Sequence, residues 1–446
     1  GLTTALTASA AVAELSGCGP AAKVSQGKVR ITNAEGGVPL PGANPYLYSF
    51  DDKKTWVTYK EAYVDPGVHV LYIKDANCEV ALPAITLLKQ PDAPTIKVAD
   101  PVFNCDGSAT TTVTVTNSGS GSPQFTYDYF IDGVLNTNTP NNVFKNVTQR
   151  DHTITVSYNV ISVPTESVLL NETFGSGPDV SSPGINPNFC WERQVEATKC
   201  NGDRLFGNGE YTVTNLLRNN PYSGWWSPRD NTSGGTNSNG RFLAVDAGTS
   251  IPNNAVLYRK TINDIIPNVP VKVTFVGTNL LKVGNNQPDA SLTVELQNAS
   301  GVALSSQSTG GIPKTNGWVK YTRTIDPGNN TSLDFVLRLE LSQVNGIDFA
   351  VDDLVVTQMP KACNTVANFP IVVDGSKAFS AGITGYKDVK CSGEQNGEIT
   401  LSAKNFDPVK GFQYSVDGGN WETVIPVPAS NVGSKTLTNL QSKIYN

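Results

Sequence analysis

The residues of this chain best suited to binding chemistry lie close together between residues 221 and 230, in a Gly/Ser/Asn-rich stretch that extends to Gly240. Aromatic rings present flat apolar faces that stack on sugars, while neighbouring Arg and Asp side chains hydrogen-bond hydroxyl groups. The stretch therefore predicts a glycan- or ligand-binding loop. Its candidate residues are Tyr222, Trp225, Trp226 and Arg229. The alternative is packing: the rings would close the end of a sandwich or contact the next module.

Catalytic motifs are missing from the sequence. His69 and His152, the only two histidines, lie in strand-like segments without a nucleophile motif near them. Neither a phosphate-binding glycine loop nor an HExxH pair is present, which excludes the common nucleotide and zinc chemistries. Glycoside hydrolysis needs two carboxylates across a cleft, and no local pattern singles out such a pair. We therefore expect a protein that is not an enzyme.

The composition of the chain argues against nucleic acid as a ligand and against a membrane-spanning segment. Charged residues make up 16% of the chain, and the net charge of −6 is spread without a basic block. Nucleic acid is an unlikely ligand because no Lys/Arg cluster would neutralise phosphates. No run of 18 apolar residues is present, so we expect no membrane span.

The elements that must position these residues are strands. Period-two alternation recurs throughout, and a chain of 446 residues is long enough for three or four domains. We predict an all-β fold of tandem β-sandwich modules, Ig-like and jelly roll. The predicted domains are a repeat module over 1–90, an Ig-like sandwich over 91–167, a jelly roll over 168–361, and a linker with a second, truncated repeat over 362–446.

The two ends of the chain repeat one another. Cys18-Gly19, the strand at 27–31, the segment 45–51 and Trp56 have counterparts in the same order later in the chain. Those counterparts are Cys391-Ser392-Gly393, the strand at 397–401, the segment 412–419 and Trp421. The first copy continues to Cys78, which predicts a Cys18–Cys78 disulfide and a partner for Cys391 beyond Asn446.

These residues resemble the short SprB-type repeat of gliding-motility and related adhesins of Bacteroidota. The resemblance covers roughly 130 residues and departs at Asp51-Asp52, where the family has a Gly-rich turn. It implies a cell-surface protein exported by the type IX route, with the repeats serving as stalk or adhesive units.

The central segment resembles MAM domains and carbohydrate-binding jelly rolls. The matching motifs are Asn171-Glu172-Thr173-Phe174, Gly240-Arg241-Phe242-Leu243-Ala244-Val245-Asp246 and Val351-Asp352-Asp353-Leu354. The resemblance implies a structural calcium ion at Glu172, Asp246 and Asp353, with Asp352 as the alternative to Asp353 because adjacent strand residues face opposite sides. The other interpretation is that these are surface carboxylates or turn residues.

Two further cysteines, Cys190 and Cys200, flank a short segment and predict a local disulfide, with two buried thiols as the alternative. The partners of Cys105 and Cys363 stay open. Scattered cysteines favour an oxidising compartment, and the resemblance to the adhesin repeats implies an extracellular location at the cell surface.

The functional hypothesis is a stalk and glycan- or surface-binding segment of a large secreted bacterial adhesin. Its expected partners are a surface polysaccharide or another cell-surface ligand, neighbouring modules of the same chain, and copies of itself. The alternatives are a self-assembling subunit of a surface filament or sheath, and an accessory glycan-binding region of a larger secreted enzyme.

Overall fold

The computed structural model describes residues 4–117, 125–160, 165–177, 190–191, 208–217, 222–249, 251–252, 254–340 and 346–446. These residues form β-strands and two short 3-10 helices, Ala21–Lys23 and Gly375–Lys377. Within these ranges no helix has the length and apolar character needed to cross a membrane. The all-β fold predicted from alternation is therefore confirmed.

The described residues up to Val160 form fifteen strands. Those before residue 91 are β1 Thr7–Glu14, β2 Gly27–Glu35, β3 Leu47–Ser49, β4 Glu61–Val64, β5 Gly67–His69, β6 Tyr72–Lys74, β7 Glu79–Ala81 and β8 Ile85–Leu87. The next group comprises β9 Thr95–Val98, β10 Val102–Phe103, β11 Ala109–Thr116, β12 Phe125–Ile131, β13 Val134–Leu135, β14 Val143–Val147 and β15 Asp151–Val160.

The described residues from Ser167 onward form seventeen more. The central group comprises β16 Ser167–Glu172, β17 Cys190–Trp191, β18 Glu210–Thr214, β19 Phe242–Asp246, β20 Val256–Ile262, β21 Val271–Asn279, β22 Ser291–Gln297, β23 Ala303–Gly311, β24 Val319–Ile325, β25 Leu333–Leu339 and β26 Asp348–Gln358. The last group comprises β27 Asn364–Val372, β28 Ser380–Lys387, β29 Gly397–Lys404, β30 Phe412–Tyr414, β31 Glu422–Val424 and β32 Val432–Leu440.

The chain forms two compact units, each built from two separate stretches of sequence. Unit 1 contains residues 1–90 and 162–363, and unit 2 contains residues 91–161 and 364–446. The chain therefore leaves unit 1 after its first module, begins unit 2, returns to unit 1 and then completes unit 2.

The jelly roll of unit 1 has two sheets around a large apolar core. One sheet has seven strands, in the order β17-β18-β19-β26-β21-β24 with β16 also pairing β26, and the other has the order β20-β25-β22-β23. Alternate residues of the strands point between the sheets, for example Leu243 and Val245 of β19 and Phe349 and Val351 of β26. Residues on the opposite face of the seven-stranded sheet pack against the aromatic loop described below.

The N-terminal module is joined to the jelly roll through a buried arginine. Arg30 of β2 is 1% exposed, and its Nε donates to Ser167 Oγ at 2.8 Å. Its other nitrogens donate to the Asp264 carbonyl oxygen and, at 3.5 Å, to Gln358 Oε1. Burial lowers the pKa of Arg30, while the negative charges of Glu61 and Asp264 raise it. Because a buried cation needs these partners, the two modules are fixed to one another at this point.

Unit 2 contains a sandwich of two four-stranded sheets. Strand β11 pairs with β9 and β10 on one side and β14 on the other, and the second sheet has the order β13-β12-β15-β27. The turn between β12 and β13 forms at Asp132-Gly133, where both residues have positive φ (49° and 80°). Strand β27 pairs with β15 from Asp151↔Val372 to Asn159↔Asn364. The sandwich is thus completed by a segment that the sequence analysis assigned to a linker.

The C-terminal module has the same central arrangement as the N-terminal one. Strand β29, which starts at Gly397, lies between β28 and β32, just as β2, which starts at Gly27, lies between β1 and β4. The turn after β3 has positive φ at Asp52 and Lys53, and the turn after β30 has positive φ at Asp417 and Gly418. The repeated order of residues in the two copies therefore corresponds to a repeated local structure.

The cysteines correct one prediction. Cys18 forms a disulfide with Cys363, while Cys78, Cys105 and Cys391 are exposed free thiols. The predicted Cys18–Cys78 pairing is wrong because the chain that leaves the jelly roll returns next to Cys18. Leu15 N donates to the Lys361 carbonyl at 3.0 Å, and Lys361 N donates to the Ala13 carbonyl at 2.8 Å. The predicted Cys190–Cys200 disulfide lies outside what the structure describes.

Candidate recognition surface

The aromatic loop predicted from sequence lies on the outer face of the seven-stranded sheet. Residues of β19 and β26 that point away from the main core, Phe242, Ala244 and Ala350, pack instead with Leu217 and Trp225 in a second apolar cluster. The loop is also hydrogen-bonded to the end of β21: Trp226 N donates to the Leu280 carbonyl at 2.9 Å, and Lys282 N donates to the Gly224 carbonyl at 2.8 Å. The loop is therefore an added layer of the jelly roll.

Trp225 anchors this layer. Its side chain is 2% exposed, and its indole Nε1 donates to Asp348 Oδ2 at 3.0 Å. A buried indole N–H requires such an acceptor, and Asp348 supplies it from the same face of the sheet that holds the apolar cluster. The prediction that Trp225 presents its ring to a ligand is corrected accordingly, because that ring lies in the core.

Asp348 belongs to a row of three carboxylates across neighbouring strands. Glu210 of β18 lies opposite Asp246 of β19, which lies opposite Asp348 of β26. Their exposed fractions are 4%, 6% and 6%. Burial, the charge of Asp348, a hydrogen bond with Asp348 and the charge of Glu210 together raise the pKa of Asp246 to about 8. The proton that this raised pKa retains at neutral pH is held by the pair of carboxyl groups, Asp246 and Asp348.

The pKa of Asp348 is also raised, by burial, although the hydrogen bonds from Asp246 and Trp225 oppose that effect. Two carboxyl groups in direct hydrogen-bond contact do not match a glycosidase pair, whose carboxyl groups stand about 5 Å or more apart around the substrate. The arrangement instead supports the loop: it provides the acceptor that holds Trp225.

The second half of the loop is attached to a bend in β26. Asn231 N donates to Asp352 Oδ2 at 2.7 Å, and Asn231 Nδ2 donates to Asp353 Oδ2 at 2.7 Å. Thr232 Oγ1 donates to Asp353 Oδ1 at 2.6 Å. Asp352 is fully buried, and that burial raises its pKa to about 7. The bend, where Asp353 has a φ of 51°, thus serves as the second attachment point.

Four side chains on or beside the loop are exposed or half-buried, and we call this candidate set the recognition surface: Tyr222, Trp226, Arg229 and Trp318. Tyr222 is 43% exposed and contacts the edge of Trp225 with ring centroids 6.4 Å apart. Trp226 and Trp318 are half-buried, and Arg229 is exposed. The indole N–H of Trp226 donates to the Asn279 carbonyl at 2.8 Å, and that of Trp318 donates to the Arg229 carbonyl at 2.8 Å.

These hydrogen bonds fix the two half-buried indoles before any ligand arrives. Preorganised rings lose little conformational entropy on binding, which favours recognition of rigid, flat partners such as sugar rings. Trp225 therefore follows the packing alternative, whereas ligand contact by the half-buried Trp226 stays a prediction.

The three predicted calcium ligands do not come together. Asp246 lies opposite Asp348, five residues before Asp353 on β26, a separation of roughly 16 Å along a strand. Glu172 is already engaged, since its carboxylate accepts from Phe174 N at 2.7 Å and from the Tyr258 hydroxyl at 3.2 Å. No group of three or more acidic, His or Cys side chains in the described part of the chain is placed to hold a metal ion. One ion cannot contact both Asp246 and Asp353, so the predicted set is wrong as a single site.

Sequence reasoning missed Asp348 and Trp318. Asp348 interrupts an apolar strand at a position that alternates with core residues, which was a usable signal for a buried polar partner. Trp318 is 89 positions from Arg229 in the chain, and no local pattern links the two residues.

Comparisons with known proteins concern the fold. No protein-family model and no curated protein matches the chain. Among solved structures, the CBM22-1 xylan-binding domain of Xyn10C from Paenibacillus barcinonensis is 13% identical, with a TM-score of 0.25, over 44% of this chain and 97% of that one.

The K3 cleaved adhesin domain of Lys-gingipain from Porphyromonas gingivalis is 14% identical, with a TM-score of 0.21, over 43% of this chain and 99% of that one. The CBM22-1–GH10 modules of Xyn10B from Clostridium thermocellum are 9% identical, with a TM-score of 0.21, over 43% of this chain and 28% of that one. At these values the likeness carries no argument about function, and the β-sandwich assignment rests on the strand pairing described above.

Proposed function

We propose that this chain is a non-catalytic, extracellular part of a larger bacterial surface adhesin, in which the jelly roll binds a glycan and the other modules act as spacers. The observation that carries the proposal is the recognition surface. It combines an exposed tyrosine, an exposed arginine and the indole of Trp226 on one loop with the indole of Trp318, and both indoles are fixed by their N–H groups. The disulfide supports an oxidising location, and the internal repeat supports a spacer role.

The test is a screen of the full chain against a glycan array and immobilised bacterial surface polysaccharides. We expect Trp226→Ala and Tyr222→Ala each to weaken binding by about fivefold or more, because truncating a central aromatic contact costs more than about 1 kcal/mol. Trp421→Ala is the matched control: Trp421 is 69% exposed in the C-terminal module, so its loss should leave binding unchanged.

Trp225→Ala is a poor probe of recognition, since it empties a buried site and removes the bond to Asp348. It is expected to lower the melting temperature together with binding. A chain that binds no glycan, or one whose binding survives both surface variants with unaltered affinity, would show that the recognition surface is not a glycan site.

A structural calcium ion in the jelly roll stays a prediction, without an assigned ligand set. Its test is the melting temperature of the chain in excess calcium and after dialysis against a chelator. A lower melting temperature without calcium would support the ion, whereas equal values would remove it from the proposal.

A further inference from the structure

One covalent bond changes how tension passes through this protein. The disulfide joins Cys18 to Cys363 across a sequence separation of 345 residues. The closed loop contains the whole jelly roll and the N-terminal module from Cys18 onward, as well as the part of unit 2 from β9 to β15. Only the residues before Cys18 and those after Cys363 lie outside it.

We propose that the Cys18–Cys363 disulfide acts as a load bypass: tension applied to the two ends of the chain passes through the disulfide and does not stretch the residues between them. A covalent cross-link fixes the distance between its two attachment points, so the loop behind it stays slack when the ends are pulled. The jelly roll remains folded at loads that extend the rest of the chain.

The contacts next to the disulfide reinforce it. Glu14 and Lys361 form a parallel bridge, with the two backbone hydrogen bonds between Leu15, Lys361 and Ala13 described above. Arg30 joins the N-terminal module to Ser167 and Gln358, close to where the chain enters and leaves the jelly roll. These non-covalent contacts hold the junction in register at low load, and the disulfide holds it when they break.

The bypass also identifies the elements that do carry load. Strand β1 precedes Cys18 and pairs with β2, while β27 follows Cys363 and pairs with β15. Tension would therefore pull β1 away from β2 and β27 away from β15, and would extend the C-terminal module. The recognition surface lies within the loop and is protected. The biological meaning of that protection rests on the proposed adhesive function, whereas the load path itself does not.

The experiment is single-molecule stretching of the full chain between handles at its two ends, compared with the double variant Cys18→Ser/Cys363→Ser. At about 3.6 Å per residue the oxidised chain should reach a final contour length of about 370 Å, and the double variant about 1,600 Å. Cys391→Ser, which removes an exposed free thiol, is the matched control and should behave as the parent chain does.

The contour length of the fully extended double variant does not depend on whether it folds, so the comparison stays valid if the substitutions destabilise the protein. Equal contour lengths for the parent chain and the double variant would overturn the proposal. So would peptide mapping under non-reducing conditions that finds Cys18 and Cys363 unlinked. Because no glycan enters the measurement, its result is separate from that of the binding screen.

Discussion

Single residues determine which side chains of the aromatic loop are available at the surface. Asp348 accepts the Trp225 N–H and lies opposite Asp246, whose pKa is raised by burial and by the charge of Asp348. The buried indole of Trp225 and the buried carboxyl groups of Asp348 and Asp246 therefore form one connected set of polar groups. A change in one of these groups affects its neighbours in the set. The protonation state of Asp246 therefore affects how firmly Asp348 holds Trp225 and the loop that contains it.

Asp246 predicts a pH dependence of stability. Its folded pKa of about 8 lies above the value near 4 of an exposed aspartate. Between those values the folded state binds the extra proton, so the free energy of unfolding falls as pH rises from about 4 to about 8 and then levels off. We expect Asp246→Asn, which keeps a hydrogen-bond donor without the charge, to make the melting temperature less sensitive to pH across this range.

The measurement is thermal unfolding of the parent chain and of Asp246→Asn at several pH values. At pH 8.5 the variant should melt higher than the parent chain, by about 2–4 °C for each kcal/mol of repulsion removed. Asp326→Asn, at an exposed turn residue, controls for the general effect of one fewer carboxylate. Parallel melting curves for the parent chain and Asp246→Asn would mean that Asp246 is ionised in the folded protein.

The sequence was informative about which residues could recognise a ligand, but not about which of them point outward. Alternation does not extend through a loop, so the inward orientation of Trp225 follows from its contact with Phe242, Ala244 and Ala350. Those residues are distant from Trp225 in the chain, and no local sequence pattern predicts that they contact it. The sequence likewise does not reveal which carboxylates the sheet brings together. The residues expected to share a calcium ion therefore lie at different points of the sheet in the structure.

At the scale of strands and modules, the junction between β2 and the jelly roll depends on Arg30. The guanidinium group is almost completely buried and has oxygen partners on two separate segments of the jelly roll. Removing it leaves those oxygens without a donor and leaves a void at the junction.

We expect Arg30→Ala to destabilise unit 1 by about 3 kcal/mol, because breaking a buried charged contact leaves its partners unsatisfied. Urea unfolding followed by tryptophan fluorescence measures this change, since unit 1 contains the buried Trp225 and the half-buried Trp56, Trp226 and Trp318. Lys60→Ala is the control, because Lys60 also bonds Asp264 but is 41% exposed and should contribute less than about 1 kcal/mol. Equal effects of the two variants would indicate that burial at Arg30 is unimportant.

Element prediction succeeded where alternation was regular and failed at β27. The turn at Asp132-Gly133 and the paired strands of the two repeats follow from local patterns. Strand β27 contains Pro370, which cannot donate a hydrogen bond to a ladder and argues against a strand in most settings. Because β27 lies at the edge of its sheet, it tolerates the proline, and only the tertiary arrangement reveals that it is a strand.

At the scale of the whole molecule, the discontinuous units matter most. Strands β15 and β27 are adjacent in unit 2, with Asn159 opposite Asn364, although the entire jelly roll lies between them in the sequence. Both ends of the inserted segment thus meet unit 2 at neighbouring positions. A single short turn could replace the insertion without moving either strand.

This arrangement predicts that residues 91–159 and 364–446, joined by Asn-Gly, fold without the rest of the chain. A two-residue Asn-Gly turn suits an antiparallel pair of this kind. We expect a β-rich circular dichroism spectrum and a cooperative thermal transition. An unfolded shortened chain would show that unit 2 needs the insertion.

A variant with Asp132→Asn in the same shortened chain should be less stable above pH 4, because Asp132 accepts hydrogen bonds from Thr153 N and His152, and these contacts lower its pKa.

The order in which the chain is synthesised affects how the Cys18–Cys363 disulfide forms. Cys78 emerges long before Cys363, so the first thiol that Cys18 can meet is the wrong one. At roughly 5–20 residues per second, the correct partner follows about 15–60 seconds later. A premature Cys18–Cys78 bond must then be exchanged through thiolate attack, and the exposed thiol of Cys78 would be what remains after that exchange. The maturation of this protein is therefore expected to depend on a disulfide isomerase in the compartment where it folds.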